Sequence, residues 1–328
     1  MKRVLNIFQT GKGGLENLSQ SISKILEPYF EVKSIPLSFG IRNIWKSAMS
    51  SEIILVHRTK SILKILPIKL FSQSKVLIFF HHFMARSKKK DIYHRIVYSK
   101  VDKLVVLSKR IREQVKNNWS IDESKIYIAY PGVDINRFRR SESIRKSIRE
   151  RYGISKKEKV FGVIGRICEE KNQEILLEAI RKSDVDAIAL IAGPVESERY
   201  FQKINMLSDK VRSILVPNFV DDVVGLLNAI DFLVITSRNE PFGLIGLEAM
   251  ACSTPVLAPD NSGIAEIISD GFDSFVYSAN DVRSLEERIR KAVSEVDNSN
   301  ISERARKKVE KDFSLDSYGR KLKEIIMG

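Results

Sequence analysis

The chain has 328 residues, 43% hydrophobic and 29% charged, with a formal net charge of +14. That length suits two domains of ordinary size, and the apolar share fills substantial cores, which excludes a disordered or low-complexity chain. Two cysteines, Cys168 and Cys252, give neither a disulfide framework nor a metal-ligand spacing, and four histidines (His57, His81, His82, His94) exclude a His-rich metal site.

Strand-length apolar runs alternate with amphipathic stretches from end to end, the pattern of doubly wound α/β domains with parallel sheets. The opening Met1-Lys-Arg-Val-Leu-Asn-Ile-Phe reads as a strand over 3–9, because its apolar run stops at Gln9, too short for a signal-peptide core. Next comes Gln9-Thr-Gly11-Lys12-Gly13-Gly14-Leu-Glu16, opening a helix over 15–26. Its glycines suit either a plain strand-to-helix turn or a backbone cradle for an anion, and the spacing is neither a Walker A loop nor G-x-G-x-x-G. Further strands are expected at 31–36, 53–57, 75–80, 103–107 and 126–129, with a helix over 108–117. His57 ends one strand and is expected to be structural, the pair His81-His82 closes another, and His94 falls in a basic surface helix.

Lys60, Lys64 and Lys69 lie among Ile62, Leu63, Ile65, Leu66, Ile68, Leu70 and Phe71, where Pro67 is expected to interrupt any continuous helix. That stretch and Arg86-Ser-Lys-Lys-Lys90 suit a headgroup interface, with Ile62, Leu66 and Phe71 as shallow anchors. Residues 1–140 hold 27 Lys+Arg against 10 Asp+Glu, a net of +17, while the remainder is slightly negative. One half is built to face something anionic, either a membrane leaflet or a nucleic acid. No helix-turn-helix, zinc pattern or aromatic-interleaved basic motif supports the nucleic acid.

A charged linker over 137–159 follows the turn-like Pro131-Gly132-Val-Asp134. Strands are then expected at 159–164, 187–192, 214–217, 231–236, 255–258 and 274–277. The domains are therefore expected at 1–150 and 151–312, with a last helix at 313–328 after a very basic helix over 302–311.

Two loops of the second half carry chemistry. Gly165-Arg166-Ile-Cys-Glu-Glu-Lys171-Asn172 follows a strand, and its Arg fork and Lys point charge can reach one diphosphate, or stand as a pair of surface charges. Glu240-Pro-Phe-Gly-Leu-Ile-Gly-Leu-Glu248 lies between the strand at 231–236 and a helix over 244–252. In an open α/β sheet such loops face the ligand. The free N–H groups of the helix start near Gly243, Leu244 and Ile245 suit a phosphate. Glu240 can accept from sugar hydroxyls, and Glu248, about one turn inside the helix, from a ribose diol. The plainer alternative is a helix N-terminus whose acids favour the macrodipole.

The run Ser237-Arg-Asn-Glu-Pro-Phe-Gly-Leu-Ile-Gly-Leu-Glu-Ala-Met-Ala-Cys-Ser-Thr-Pro-Val256 resembles the E-x7-E signature of family 4 retaining glycosyltransferases. The Gly165–Asn172 loop resembles that family's Gly-Arg-x5-Lys-Gly motif with Asn172 for Gly, and Gly13-Gly14 with Glu16 resembles its Gly-Gly-x-Glu loop. Ser253 and Pro131 replace the family's usual Gly and Asn. The resemblance covers most of 1–325 and is strongest over 160–277. It implies the GT-B fold, two Rossmann-like doubly wound parallel-sheet domains facing across a cleft, the final helix crossing back to the first.

It also implies a retaining transfer of sugar from a nucleotide diphosphate sugar, by front-face attack, with Arg166, Lys171, Glu240 and His81 catalytic; His82 is the alternative to His81. The donor would be held by Gly13, Gly14, Arg166, Lys171, Glu240, Phe242, Gly243, Leu244, Ile245 and Glu248. No cofactor or metal is expected, because Arg166, Lys171 and the helix start carry the charge of the leaving diphosphate. The implied acceptor is a lipid-linked sugar or envelope glycan, so the expected place is cytoplasmic, peripheral on an anionic membrane, with no nucleic-acid partner. The competing readings are a nucleic-acid-binding protein and a related phosphorylase or epimerase; no pyridoxal lysine motif favours the phosphorylase.

Overall fold

A computed structural model describes residues 1–9, 14–72, 74–218, 220–295 and 300–328, the side chains of 14–17 and 295 excepted. The chain divides into two compact units, Met1–Pro131 with Leu315–Gly328, and Gly132–Ser314. Each contains a six-stranded, wholly parallel sheet. Parallel pairing demands crossover helices that cover both sheet faces, which is why the central strands are continuous apolar runs and not alternating ones.

The first unit runs β1 (Arg3–Phe8), α1 (Gly14–Leu26), β2 (Glu31–Pro36), α2 (Ile41–Met49), β3 (Ile53–Val56), α3 (Thr59–Phe71), β4 (Val76–His81), α4 (Ile92–Ser99), β5 (Lys103–Val106), α5 (Lys109–Asn118) and β6 (Ile126–Ile128). The strand order β2-β1-β3-β4-β5-β6 reverses between β1 and β3. Ser108 caps α5 by accepting from Ile111 N–H, and Asp91 caps α4 by accepting from His94 N–H. His94 also bonds Asp91 through its ring, so it closes a helix end.

The second unit runs α6 (Glu142–Arg151), β7 (Lys159–Ile164), α7 (Glu174–Ser183), β8 (Ala187–Ala192), α8 (Glu198–Ser208), β9 (Ser213–Val216), α9 (Val223–Ala229), β10 (Phe232–Val234), α10 (Leu244–Ala251), β11 (Val256–Pro259), β12 (Phe275–Tyr277), α11 (Val282–Glu295) and α12 (Ile301–Asp312). Its order β12-β11-β10-β7-β8-β9 reverses between β7 and β10. The last helix, α13 (Leu315–Met327), belongs to the first unit, where Tyr318, Leu322, Ile325 and Ile326 are buried and Gly319 lies against Ile25 and Tyr29 of the chain around α1.

The structure departs from the sequence reading in three places. The units part at Pro131/Gly132, earlier than residue 150, because α6 is tied to the second unit. Arg145 and Arg149 both reach the Asp231 carboxylate, and Arg149 donates to the carbonyls of Ala229, Ser155 and Glu158. Secondly, α3 runs through Pro67 unbroken. Ile62, Ile65 and Ile68 bury one face of it, which outweighs the roughly 3 kcal/mol a helix-interior proline costs; Trp45 Nε1 donates 2.8 Å to the Lys64 carbonyl in the turn before that proline. Thirdly, Ile62 is core and no surface anchor, and Lys69 is buried, donating 2.6 Å to Asp102.

Candidate active site

The loops that leave β7 and β10 stand side by side, because these two strands are neighbours at the point where the sheet order reverses. This is where an open α/β sheet leaves a crevice beyond its carboxyl ends. Thr236 Oγ1 donates 2.6 Å to the Lys171 carbonyl, and Arg238 N–H donates 3.0 Å to that of Glu170. Arg238 Nη2 adds a bond of 2.9 Å to Asn172 Oδ1. So fixed, the Lys171 ammonium lies 2.8 Å from Glu240 Oε2, which also accepts from Ser237 Oγ at 2.8 Å. Val163, Gly165, Gln173, Thr236, Ser237 and Ile245 line a small cavity with Lys171 and Glu240.

Gly243 begins α10 with φ +100, a left-handed conformation; a Cβ there would meet Ile235 at 3.1 Å and Glu240 Cγ at 3.4 Å. Glycine thus allows the helix to start hard against Glu240, and the first N–H groups of α10, at Leu244 and Ile245, have no carbonyl one turn earlier to bond. The ring of Phe242 is buried, and its carbonyl accepts from Ile264 N–H at 2.7 Å, so that residue packs beneath the loop.

Glu248 lies one turn into α10, and its carboxyl group makes no hydrogen bond or ion pair among the described residues. Burial disfavours its charged form and Arg137 only partly offsets this, so its pKa is pushed up to about 7. Arg166 instead turns to the loop after β8. Its Nη1 lies 2.6 Å from Glu196 Oε1, and both side chains are half exposed. Gly193, which closes β8, touches the Gly165 carbonyl so closely that any Cβ would overlap it.

Both residues that replace a glycine of the family motif are left-handed: Asn172 at φ 53 and Ser253 at φ 57. Asparagine tolerates that region better than most residues, and glycine bears it without strain. The loop path is therefore kept without the glycine.

In the first unit, His81 and His82 end β4 on opposite faces. His81 packs edge-on to Trp119, with ring centres 4.6 Å apart, and beside Phe79; His82 lies on the side of Phe80 and His57. Burial lowers both pKa values to about 3. Gly14 opens α1; Gly13 lies outside the described residues.

Residues 144–308, half of the chain, match the model described as glycosyl transferases group 1. The chain belongs to that family. Residues 17–137 of this group 1 chain also match the model described as Glycosyltransferase Family 4. A D-inositol 3-phosphate glycosyltransferase of Mycobacterium sp. (strain KMS) is 30% identical over 194 residues. The match covers 57% of this chain but only 43% of that relative's length. Among solved structures, Anabaena HepE in complex with UDP and glucose has a TM-score of 0.81 at 19% identity, covering 100% of both chains. The lipopolysaccharide outer core galactosyltransferase WaaB has 0.76 at 17%, covering 100% of this chain and 99% of that one. These likenesses give the fold: the two parallel α/β domains of the GT-B class.

Thus the structure brings Lys171, Glu240 and the start of α10 together and pairs Arg166 elsewhere. Sequence reasoning missed Ser237, Gln173 and Glu196. Ser237 stands three residues before Glu240, a spacing at which a loop hydroxyl can turn back to a carboxylate. Gln173 is fully buried with Nε2 donating 2.7 Å to the Arg166 carbonyl, and nothing in its neighbours marks it. Glu196 could be found only from the pairing of β7 with β8.

Proposed function

We propose that this chain is a retaining glycosyltransferase that moves a sugar from a nucleoside diphosphate sugar to a glycan or lipid-linked acceptor. The observation that carries the reading is the Lys171–Glu240–Ser237 knot beside the start of α10. A cation, a carboxylate and free helix N–H groups converge there at the sheet's reversal point. In the transfer, Lys171 and those N–H groups take up the negative charge growing on the leaving diphosphate. Glu240 accepts from hydroxyls of the transferred sugar and Glu248 from the ribose diol. Arg166 joins the diphosphate by exchanging Glu196 for phosphate oxygens, a trade its exposed ion pair makes cheap. No metal enters the scheme, and among the described residues no three His, Cys, Asp or Glu are grouped to hold one.

UDP is the first nucleotide to test, since the similar Anabaena protein is described with UDP and glucose. Calorimetry against UDP, GDP, ADP and their sugars, with and without EDTA, decides the reading. Micromolar binding of one nucleoside diphosphate, indifferent to EDTA, supports it; no binding of any refutes it.

The face made of α2, α3 and α4, which pack in that order, supports an acceptor held at an anionic membrane. Ile41, Trp45 and Met49 form an exposed stripe on α2; Leu70 and Phe71 stand out from α3, and Ile92 and Ile96 from α4. Residues 37–100 hold 13 Lys+Arg against two Asp+Glu. Each basic residue near an anionic leaflet contributes about 1 kcal/mol, screened by salt. No helix among the described residues is long and apolar enough to cross a membrane. Sedimentation with anionic but not neutral vesicles, reversed by salt and weakened by K88E/K89E/K90E, is expected; equal binding to both, or to neither, refutes this placement.

A further inference from the structure

His57, His82 and Asn6 form one buried chain of hydrogen bonds that the scheme above leaves unused. Asn6 is fully buried in β1, and its Nδ2 donates 2.9 Å to the Ser19 carbonyl and 3.0 Å to Ser23 Oγ. A carbonyl only accepts, so Nδ2 must face Ser19, which turns Asn6 Oδ1 towards His57 Nε2 at 2.8 Å. An amide oxygen also only accepts, so His57 carries its proton on Nε2. Burial keeps His57 neutral, with His82 adding to the effect, so His57 Nδ1 holds a lone pair and accepts from His82 Nε2 at 2.8 Å. His82 is neutral as well, through burial and the nearby Arg58, and with its proton on Nε2 its Nδ1 is bare. That nitrogen is buried and has no partner among the described residues.

We propose that Asn6 and His57 are positioning residues that hold His82 in the Nε2–H tautomer, so that its Nδ1 presents an accepting lone pair to a carbohydrate hydroxyl. His82 lies on the face of the sheet that carries Asn6 and, through Ser19 and Ser23, α1. His81 faces Phe79 and Trp119, and its Nε2 too is buried without a partner among the described residues, but no chain of hydrogen bonds like Asn6–His57 stands behind it there. A neutral imidazole so deeply buried serves as a hydrogen-bond acceptor and does not remove a proton. The identity of the hydroxyl rests on the transferase reading; the tautomer does not.

The test has two arms on the full chain. With 15N-labelled histidine, nitrogen NMR reports which ring atom of each histidine is protonated. His57 and His82 are expected as neutral Nε2–H tautomers with unprotonated Nδ1 from pH 6 to 8, roughly the range over which a free imidazole titrates. A His82 proton on Nδ1, or a mixture, overturns the proposal whatever the enzyme's activity. In the second arm, H57N keeps an amide oxygen where His57 Nδ1 accepts, whereas H57L offers His82 no acceptor. H57L is expected to transfer at least about tenfold more slowly than H57N, the worth of a directed hydrogen bond, with donor affinity the same in both. Equal rates overturn the proposal. Should either variant fail to fold, the wild-type tautomer decides alone. Failure of the wild type to bind any nucleotide sinks the transferase reading and leaves the relay standing.

Discussion

Glu248→Gln should make the protein more stable and a worse binder at once. The carboxyl is raised from an ordinary 4.5 to about 7 because the folded protein penalises its charge. Between those values the folded state holds a proton that the unfolded state has released. Below about pH 4.5 both states are protonated and the residue costs nothing; the cost grows as pH rises and is complete above about 7. The difference in pKa corresponds to about 3 kcal/mol, an upper figure because the side chain retains some access to water. Gln cannot ionise, so E248Q is expected to match the wild type near pH 4.5 and to exceed it by up to about 3 kcal/mol at pH 8. Urea denaturation at a series of pH values measures this. A ribose diol, in contrast, wants the carboxylate, which is about one-tenth populated at pH 6. Wild-type affinity for a nucleoside diphosphate sugar, whose diester phosphates stay ionised throughout, should therefore weaken about tenfold from pH 8 to pH 6. In E248Q that affinity should be lower at pH 8 and flat with pH. A mutant less stable than wild type at pH 8, or one retaining the pH dependence, refutes the argument.

Glu240→Gln should cut transfer by orders of magnitude while thermal unfolding shifts little; a wild-type rate in single-turnover assays would dismiss Glu240 from the sugar. Lys171→Ala should weaken nucleoside diphosphate binding by roughly 1–3 kcal/mol, the loss of a charge-assisted hydrogen bond, and Arg166→Ala by less, because Arg166 must first leave Glu196. Calorimetry that ranks the two the other way contradicts the pairing described. Ser253→Gly should raise stability by up to about 1 kcal/mol, since it relieves a left-handed residue while loosening the unfolded chain; a lower denaturation midpoint counts against strain at that turn.

All twelve described strands were legible within a few residues because buried parallel strands are short apolar runs bounded by polar turns. Glu240, Lys171 and the opening of α10 were legible because each sits in a contiguous motif. What the sequence hid is what depends on neighbours far along the chain. Glu196 reaches Arg166 from another crossover, and Asn6 reaches His57 across 51 positions. The apolar run around Ile62 looked like surface because Pro67 concealed its helical period. The linker around 150 looked like a boundary because the value of Arg145 and Arg149 lies in an aspartate more than eighty residues away.

The placement of α13 has a consequence for how the molecule is made. Residues 1–131 leave the ribosome before the second unit, yet the helix that covers Ile25 and Tyr29 is made only after it. The second unit is contiguous and can fold as it emerges, whereas the first must wait with an uncovered apolar face until α13 has been made. A release of the chain before Leu315 would thus leave the second unit sound and the first unfinished. Of the two units, the one begun earlier is completed later, and chaperones have that interval in which to hold it.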